Sequence, residues 1–221
     1  MQRFIQAIES LKFGLDSGAA PGERLLEQFD DTTPPAAIVD WVRGEYRQMT
    51  DAFAIIQNHY KTSDVKDADR RFRQLSFLGW DDWYPVALAL VLGHKGPHKG
   101  RGWVTKINRL YRACYTMELL GWRRQRSKQL KLALEQLERG LDPFNTKAEP
   151  EYGALSISPY LQRKARENLA RPFNEDERRG AIVRWLETLY WRETLPLSCS
   201  HEATVEHVLP VSSTKYWTQK F

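Results

Sequence analysis

Apolar residues recur at helical spacing along almost the whole chain. Phe4, Ile5, Ile8 and Leu11 share one face of a helix over residues 2–13. Residues 22–29 predict a short helix ahead of the turn-rich Asp30-Asp31-Thr32-Thr33. Thr33-Pro34-Pro35 reads as a helix start, because proline is tolerated in a first turn. From there Ile38, Val42, Tyr46, Met49, Phe53, Ile56 and Tyr60 follow in steps of three and four, a sustained amphipathic stripe. A weaker helical pattern over 65–78 stops at Gly79. Asp81 or Asp82 can cap the next helix, which has Pro85 in its first turn and the apolar run Val86–Leu92. Being apolar nearly all round, that helix is expected at the centre of the core.

Residues 93–102 hold four glycines and a proline and predict a loop. Residues 103–121 and 123–139 read as two helices hinged at Gly121, the second with Leu130, Leu134, Leu137 and Leu141 on one side. After an irregular stretch over 142–157, Ser158-Pro159 opens a helix to about Ala170. Asn174, followed by Glu175, Asp176 and Glu177, opens another that buries Ile182, Val183, Leu186, Leu189 and Tyr190. Only Ala203–Leu209 changes period. It alternates, is β-branched and is closed by Pro210, so it reads as a strand. The expected fold is mainly α: a multi-helix domain over 1–195, then a short β segment within 196–221.

The proportions, 42% hydrophobic and 28% charged, are those of an ordinary globular chain. The first residues carry charge inside their apolar pattern, unlike a signal peptide. Val86–Leu92 is too short to cross a bilayer. Two cysteines fit a reducing compartment better than a disulfide scaffold, so a cytoplasmic protein is expected. Charge is unevenly spread. Residues 1–70 hold 8 basic and 12 acidic side chains, whereas residues 95–139 hold 12 basic and 3 acidic. The stretches 71–94 and 140–221 are each neutral. A local basic segment suits a polyanion-facing surface. It equally suits a solvated helix pair whose counter-charges lie on the acidic N-terminal third. If nucleic acid is bound, the candidate contacts are Lys95, Lys99 and Arg101 of the glycine-rich loop, and Arg123, Arg124, Arg126, Lys128 and Lys131 of the following helix. Such side chains meet phosphates and confer affinity and salt dependence rather than base reading. The loop does not match the phosphate-loop pattern of P-loop proteins. His94 and His98 are separated by Gly96-Pro97, which forbids a shared helix face. Cys199 and His201 lack the paired spacing and fourth ligand of a zinc site. The eight tryptophans mostly sit beside other apolar residues at helical spacing, as packing residues do.

The most specific signal is Thr204-Val205-Glu206-His207-Val208-Leu209-Pro210. An acidic residue directly before a histidine, then Val-Leu-Pro, resembles the first half of an HNH (ββα-metal) nuclease site. More narrowly, it resembles the HNH domain of the GmrSD-type modification-dependent restriction enzymes. In that family such a strand follows a leucine-rich helix and precedes a tryptophan; here these are residues 181–193 and Trp217. Residues 75–90 are similar to the apolar central helix of the family's helical middle region. The resemblance implies metal-dependent hydrolysis of DNA phosphodiesters, in restriction and antiviral defence. It implies His207 as general base and Glu206 as a ligand of Mg²⁺ or a similar divalent cation. The chemistry is consistent with those roles. Histidine titrates near neutrality and can accept a proton from water. A carboxylate is a hard oxygen ligand, and a bound cation stabilises the leaving oxygen.

This sequence departs from the family pattern downstream. Residues 208–221 contain no asparagine or histidine, so the second strand's Asn and the ligand-bearing helix are missing. No Asp-Gly-Gln-Arg motif of the family's nucleotidase-like domain is present either. The expectation is an internal piece, catalytically incomplete alone, whose partners are DNA, the nucleotidase-like domain and the rest of the HNH domain. The alternative is a non-catalytic helical scaffold or nucleic-acid-binding module. Its last strand, an exposed edge, would pair with a partner or form a homodimer.

Overall fold

A computed structural model describes residues 2–13, 22–57, 66–93, 102–146 and 152–169. The chain divides into two compact units, Met1–Pro172 and Phe173–Phe221. All described residues belong to the first. The expected helix from Asn174 and the expected strand at Ala203–Leu209 lie outside them. Among the described residues 76% are helical and none is in a strand. That is more than twice the helix content of an average globular protein, so this unit is mainly α. No helix among the described residues is long and apolar enough to cross a membrane.

The helices are α1 (Gln2–Phe13), α2 (Glu23–Glu27), α3 (Pro35–Trp41), α4 (Arg47–Gln57), α5 (Lys66–Ser76), α6 (Trp83–Leu92), α7 (Gly102–Leu119), α8 (Arg123–Glu138) and α9 (Pro159–Leu169). Helix α6 is the axis of the unit. Its residues 83–90 are all buried, and α1, α4, α7 and α8 pack around it. Each large apolar side chain buried there contributes roughly 1.5–3 kcal/mol. The helix stops at Gly93, whose φ of 65° is readily adopted only by glycine. The aspartates before α6 do not cap it through their side chains. Asp82 makes no side-chain cap bond, and its Oδ2 instead accepts from Ser127 Oγ at 2.6 Å and from Arg126 at 3.3 Å. Asp81 pairs with Arg3 of α1 at 2.9 Å. Both carboxylates therefore tie neighbouring helices to the start of the axis.

The long stripe from Ile38 to Ile56 is helical but not one regular helix. A π-helical turn at Val42–Tyr46 joins α3 to α4. Two successive steps of four, Ile38 to Val42 to Tyr46, overshoot a regular turn, and the wider i→i+5 turn accommodates them. Only α4 buries its face, through Met49, Ala52 and Ile56, whereas Val39 and Val42 remain exposed. Aromatic rings continue the packing from Phe29 through Trp41, Tyr46, Phe4 and Phe53 to Tyr84, with centroids 4.9–5.8 Å apart.

Helix α5 is more firmly seated than its many charges suggest. Ala68, Phe72, Leu75 and Gln74 are fully buried, and the helix packs on α7. Gln74 is tolerated there because its polar groups are paired. Its side-chain oxygen accepts from Arg71 at 2.8 Å, and its carbonyl accepts from the Tyr115 hydroxyl at 2.6 Å. Arg71 also donates to Asn108 at 2.6 Å and lies over the Tyr111 ring. Beyond α8, the loop over 142–146 meets that over 152–156. Leu155 N donates to the Pro143 carbonyl at 2.7 Å, and Gly153 N to the Asn145 carbonyl at 2.9 Å. The Gln136 amide holds this clasp onto α8, accepting from Ala154 N and donating to the Tyr152 carbonyl. Ser158 Oγ accepts from Leu161 N and so caps α9, which packs on α7.

Candidate nucleic-acid interface

Helix α8 follows a sharp break. Gly121 takes a φ of 70°, and Trp122 precedes the first turn without a side-chain cap. Leu130, Ala133, Leu134 and Leu137 face the core. At 100° per residue, this seam turns Arg124, Lys128 and Lys131 onto a single outer flank, at i, i+4 and i+7. Leu141, expected on the buried side, falls beyond the helix end and is 47% exposed.

The five basic residues expected on this helix do not behave alike. Arg124 and Lys128 are exposed, and neither forms an ion pair among the described residues. Arg123 is exposed and Lys131 half-buried, and each interacts with another group. Arg126 turns inward. Its guanidinium lies 4.3 Å from the centroid of the Trp80 ring and pairs with Asp82. It therefore joins α8 to the start of α6 rather than pointing to solvent. The first turn of α8 contains Arg123 and Arg124 and no acidic residue. Cations at the positive end of a helix dipole disfavour the helix and favour an anion nearby. Lys95, Lys99 and Arg101 of the glycine-rich loop, and the Glu206-His207 pair, lie outside the described residues.

Charge is unevenly divided along the first unit. The described residues before α7 hold 9 basic and 12 acidic side chains, and those from α7 through α9 hold 12 basic and 5 acidic. The three cations of α9, Arg163, Lys164 and Arg166, escaped the segment totals because the stretch 140–221 is neutral overall. Only the position of α9 against α7 places them with the basic helices.

Other groups offer less chemistry. A cleft of about 470 Å³ is lined by Leu11, Lys12, Glu45, Gln48, Met49, Leu92, Gly93 and Glu138. Its lysine is already engaged: Lys12 Nζ lies 3.0 Å from Glu45, donates to Gln28 at 3.2 Å, and sits over the Trp41 ring. A second cleft of about 200 Å³ lies beside the Arg3–Asp81 pair. Cys114 is fully buried, and burial pushes its thiol well above the ordinary range, which makes it a poor nucleophile. Among the described residues no group of three or more His, Cys, Asp or Glu side chains could hold a metal ion. The tryptophans of the first unit's described residues pack as expected. Trp83 is buried, Trp103 stacks on Phe72, and Trp80 Nε1 donates to Glu118 at 3.1 Å. No protein-family model matches the chain, and comparisons with curated proteins and with solved structures find no significant match.

Proposed function

We propose that the helical unit binds the phosphate backbone of DNA. The observation that carries this reading is the outer flank of α8, where Arg124 and Lys128 are exposed with no acidic partner among the described residues. Stability alone does not call for cations at the start of a helix, and a backbone phosphate would offset their repulsion. Such contacts hold a duplex in register without reading its bases.

The sequence motif at Glu206-His207 extends the proposal to a GmrSD-like HNH endonuclease acting on foreign or modified DNA in the cytoplasm. In that reading His207 is the general base and Glu206 holds a divalent cation such as Mg²⁺, which would stabilise the leaving oxygen. Residues 208–221 carry no asparagine or histidine, so they do not supply the second half of such a site. A competing reading is a non-catalytic scaffold. It draws on Leu26, Val39 and Val42, apolar residues left 73%, 43% and 44% exposed.

Salt-titrated binding to a labelled DNA duplex separates these readings. Backbone contact predicts affinity that falls steeply and log-linearly with salt, and the same falls with an unrelated duplex sequence. Absence of binding even at low salt would overturn the DNA reading in favour of the scaffold. With Mg²⁺ added, the chain is expected not to cut the duplex by itself. His207-dependent cutting would show that the site is complete without the missing ligands.

A further inference from the structure

We infer that α9 supplies a second row of phosphate contacts beside α8, through Arg163 and Arg166. This inference rests on the proposed DNA binding and names contacts that the linear distribution of charge conceals. Helix α9 is anchored to α7 along its inner side. Ala165 is buried, and Asn168 Nδ2 donates to the Leu119 carbonyl at 2.9 Å. Leu119 ends α7, and α8 begins at Arg123. The C-terminal end of α9 therefore lies at the end of α7 from which α8 starts. With Ala165 and Asn168 inward, helical geometry turns Arg163 and Arg166 away from the seam, and both are exposed. Neither forms an ion pair among the described residues. Glu167 is the only acidic residue of α9.

Four other cations of the unit are used differently. Arg3, Lys12, Arg109 and Arg126 are each paired with a carboxylate at 2.9–3.4 Å. The exposed cations of α7 through α9 with no ion pair among the described residues include Arg112, Arg124, Lys128, Arg163 and Arg166. Unpaired like charges on adjoining helices repel, so they do not stabilise the fold. A polyanion with regularly spaced phosphates offsets that repulsion along a whole surface, releasing counterions as it binds. Duplex DNA has that charge density, and in this proposal one duplex would meet both helices.

The test is the salt dependence of duplex binding by the full chain and three paired variants. R124A/K128A removes the α8 row and R163A/R166A the α9 row. R43A/R47A removes the same charge from two exposed residues before α7. Each lost phosphate contact lowers the slope of log affinity against log salt by about 0.9. R163A/R166A is expected to lower it by nearly 2, as R124A/K128A does, while R43A/R47A leaves it unchanged. R163K/R166K keeps the charge and is expected to restore the slope, and unchanged thermal melting excludes loss of fold. If R163A/R166A matches R43A/R47A while R124A/K128A weakens binding, the α9 row is wrong and DNA binding by α8 stands. If the unmodified chain does not bind at low salt, the proposed function fails and the α9 row fails with it.

Discussion

Gly153 and Gly44 are two glycines with opposite reasons for being there. A Cβ on Gly153 would run into the Pro143 carbonyl, inside the clasp between residues 142–146 and 152–156. The obstacle is backbone, which cannot swing aside. Gly153→Ala is expected to destabilise the unit by about 1–3 kcal/mol, read as a lower melting temperature. A Cβ on Gly44 would meet nothing within 4 Å. Gly44→Ala is expected to stabilise it by roughly 0.5–1 kcal/mol, because glycine in a helix carries the larger entropy cost. The buried Cys114 and Tyr115 make stability depend on alkaline pH. Burial, the largest cause in each case, raises both groups above their ordinary values of 9.0 and 10.0. A raised value in the folded state means that the unfolded chain ionises first. Their contribution is fully present below pH 9 and is lost as pH rises from there. Denaturant unfolding between pH 8 and pH 11, values set by those ordinary ranges, is expected to show falling stability, and Cys114→Ala should remove the earlier part of the fall.

Helix α8 shows how one element divides its charges between structure and surface. Arg126 is only 20% exposed at its side chain, stacks on Trp80 and pairs with Asp82. Arg126→Ala is expected to cost about 1–2 kcal/mol through lost stacking and pairing, with little change in the salt slope of DNA binding. Arg124→Ala is expected to do the reverse, changing stability by no more than about 0.5 kcal/mol while lowering that slope. Melting and binding measured on the same two variants check the division. The helix itself was legible in the sequence, because Leu130, Leu134 and Leu137 recur on one face. The inward turn of Arg126 was not, because its partners, Trp80 and Asp82, lie more than forty residues away. The π turn was half legible. The steps of four at Ile38, Val42 and Tyr46 are present in the sequence, but they also fit a loosely periodic α-helix.

For the whole molecule, the described core lies within Met1–Pro172, around the buried axis of α6. A chain ending at Pro172 is therefore expected to unfold cooperatively with a strongly helical circular dichroism spectrum. It is also expected to show the proposed salt-dependent duplex binding, since Arg124, Lys128, Arg163 and Arg166 all remain. Loss of either property would place an essential part of the core or of the basic surface within residues 173–221. Among the described residues the basic excess belongs to α7 through α9 and the acidic excess to the residues before them.

Periodicity alone determined that this unit is helical, where most of its helices lie, and that residues 83–92 form its centre. Helical spacing and an unbroken apolar run are local properties, so they are written along the chain. The tertiary structure decided which cations remain available to a ligand. Arg126 and Lys12 are consumed by partners distant in sequence, and Arg163 and Arg166 join the basic helices only because α9 packs on α7. Electrostatic fields depend on distances through space, and a sum of charges along a segment does not contain them.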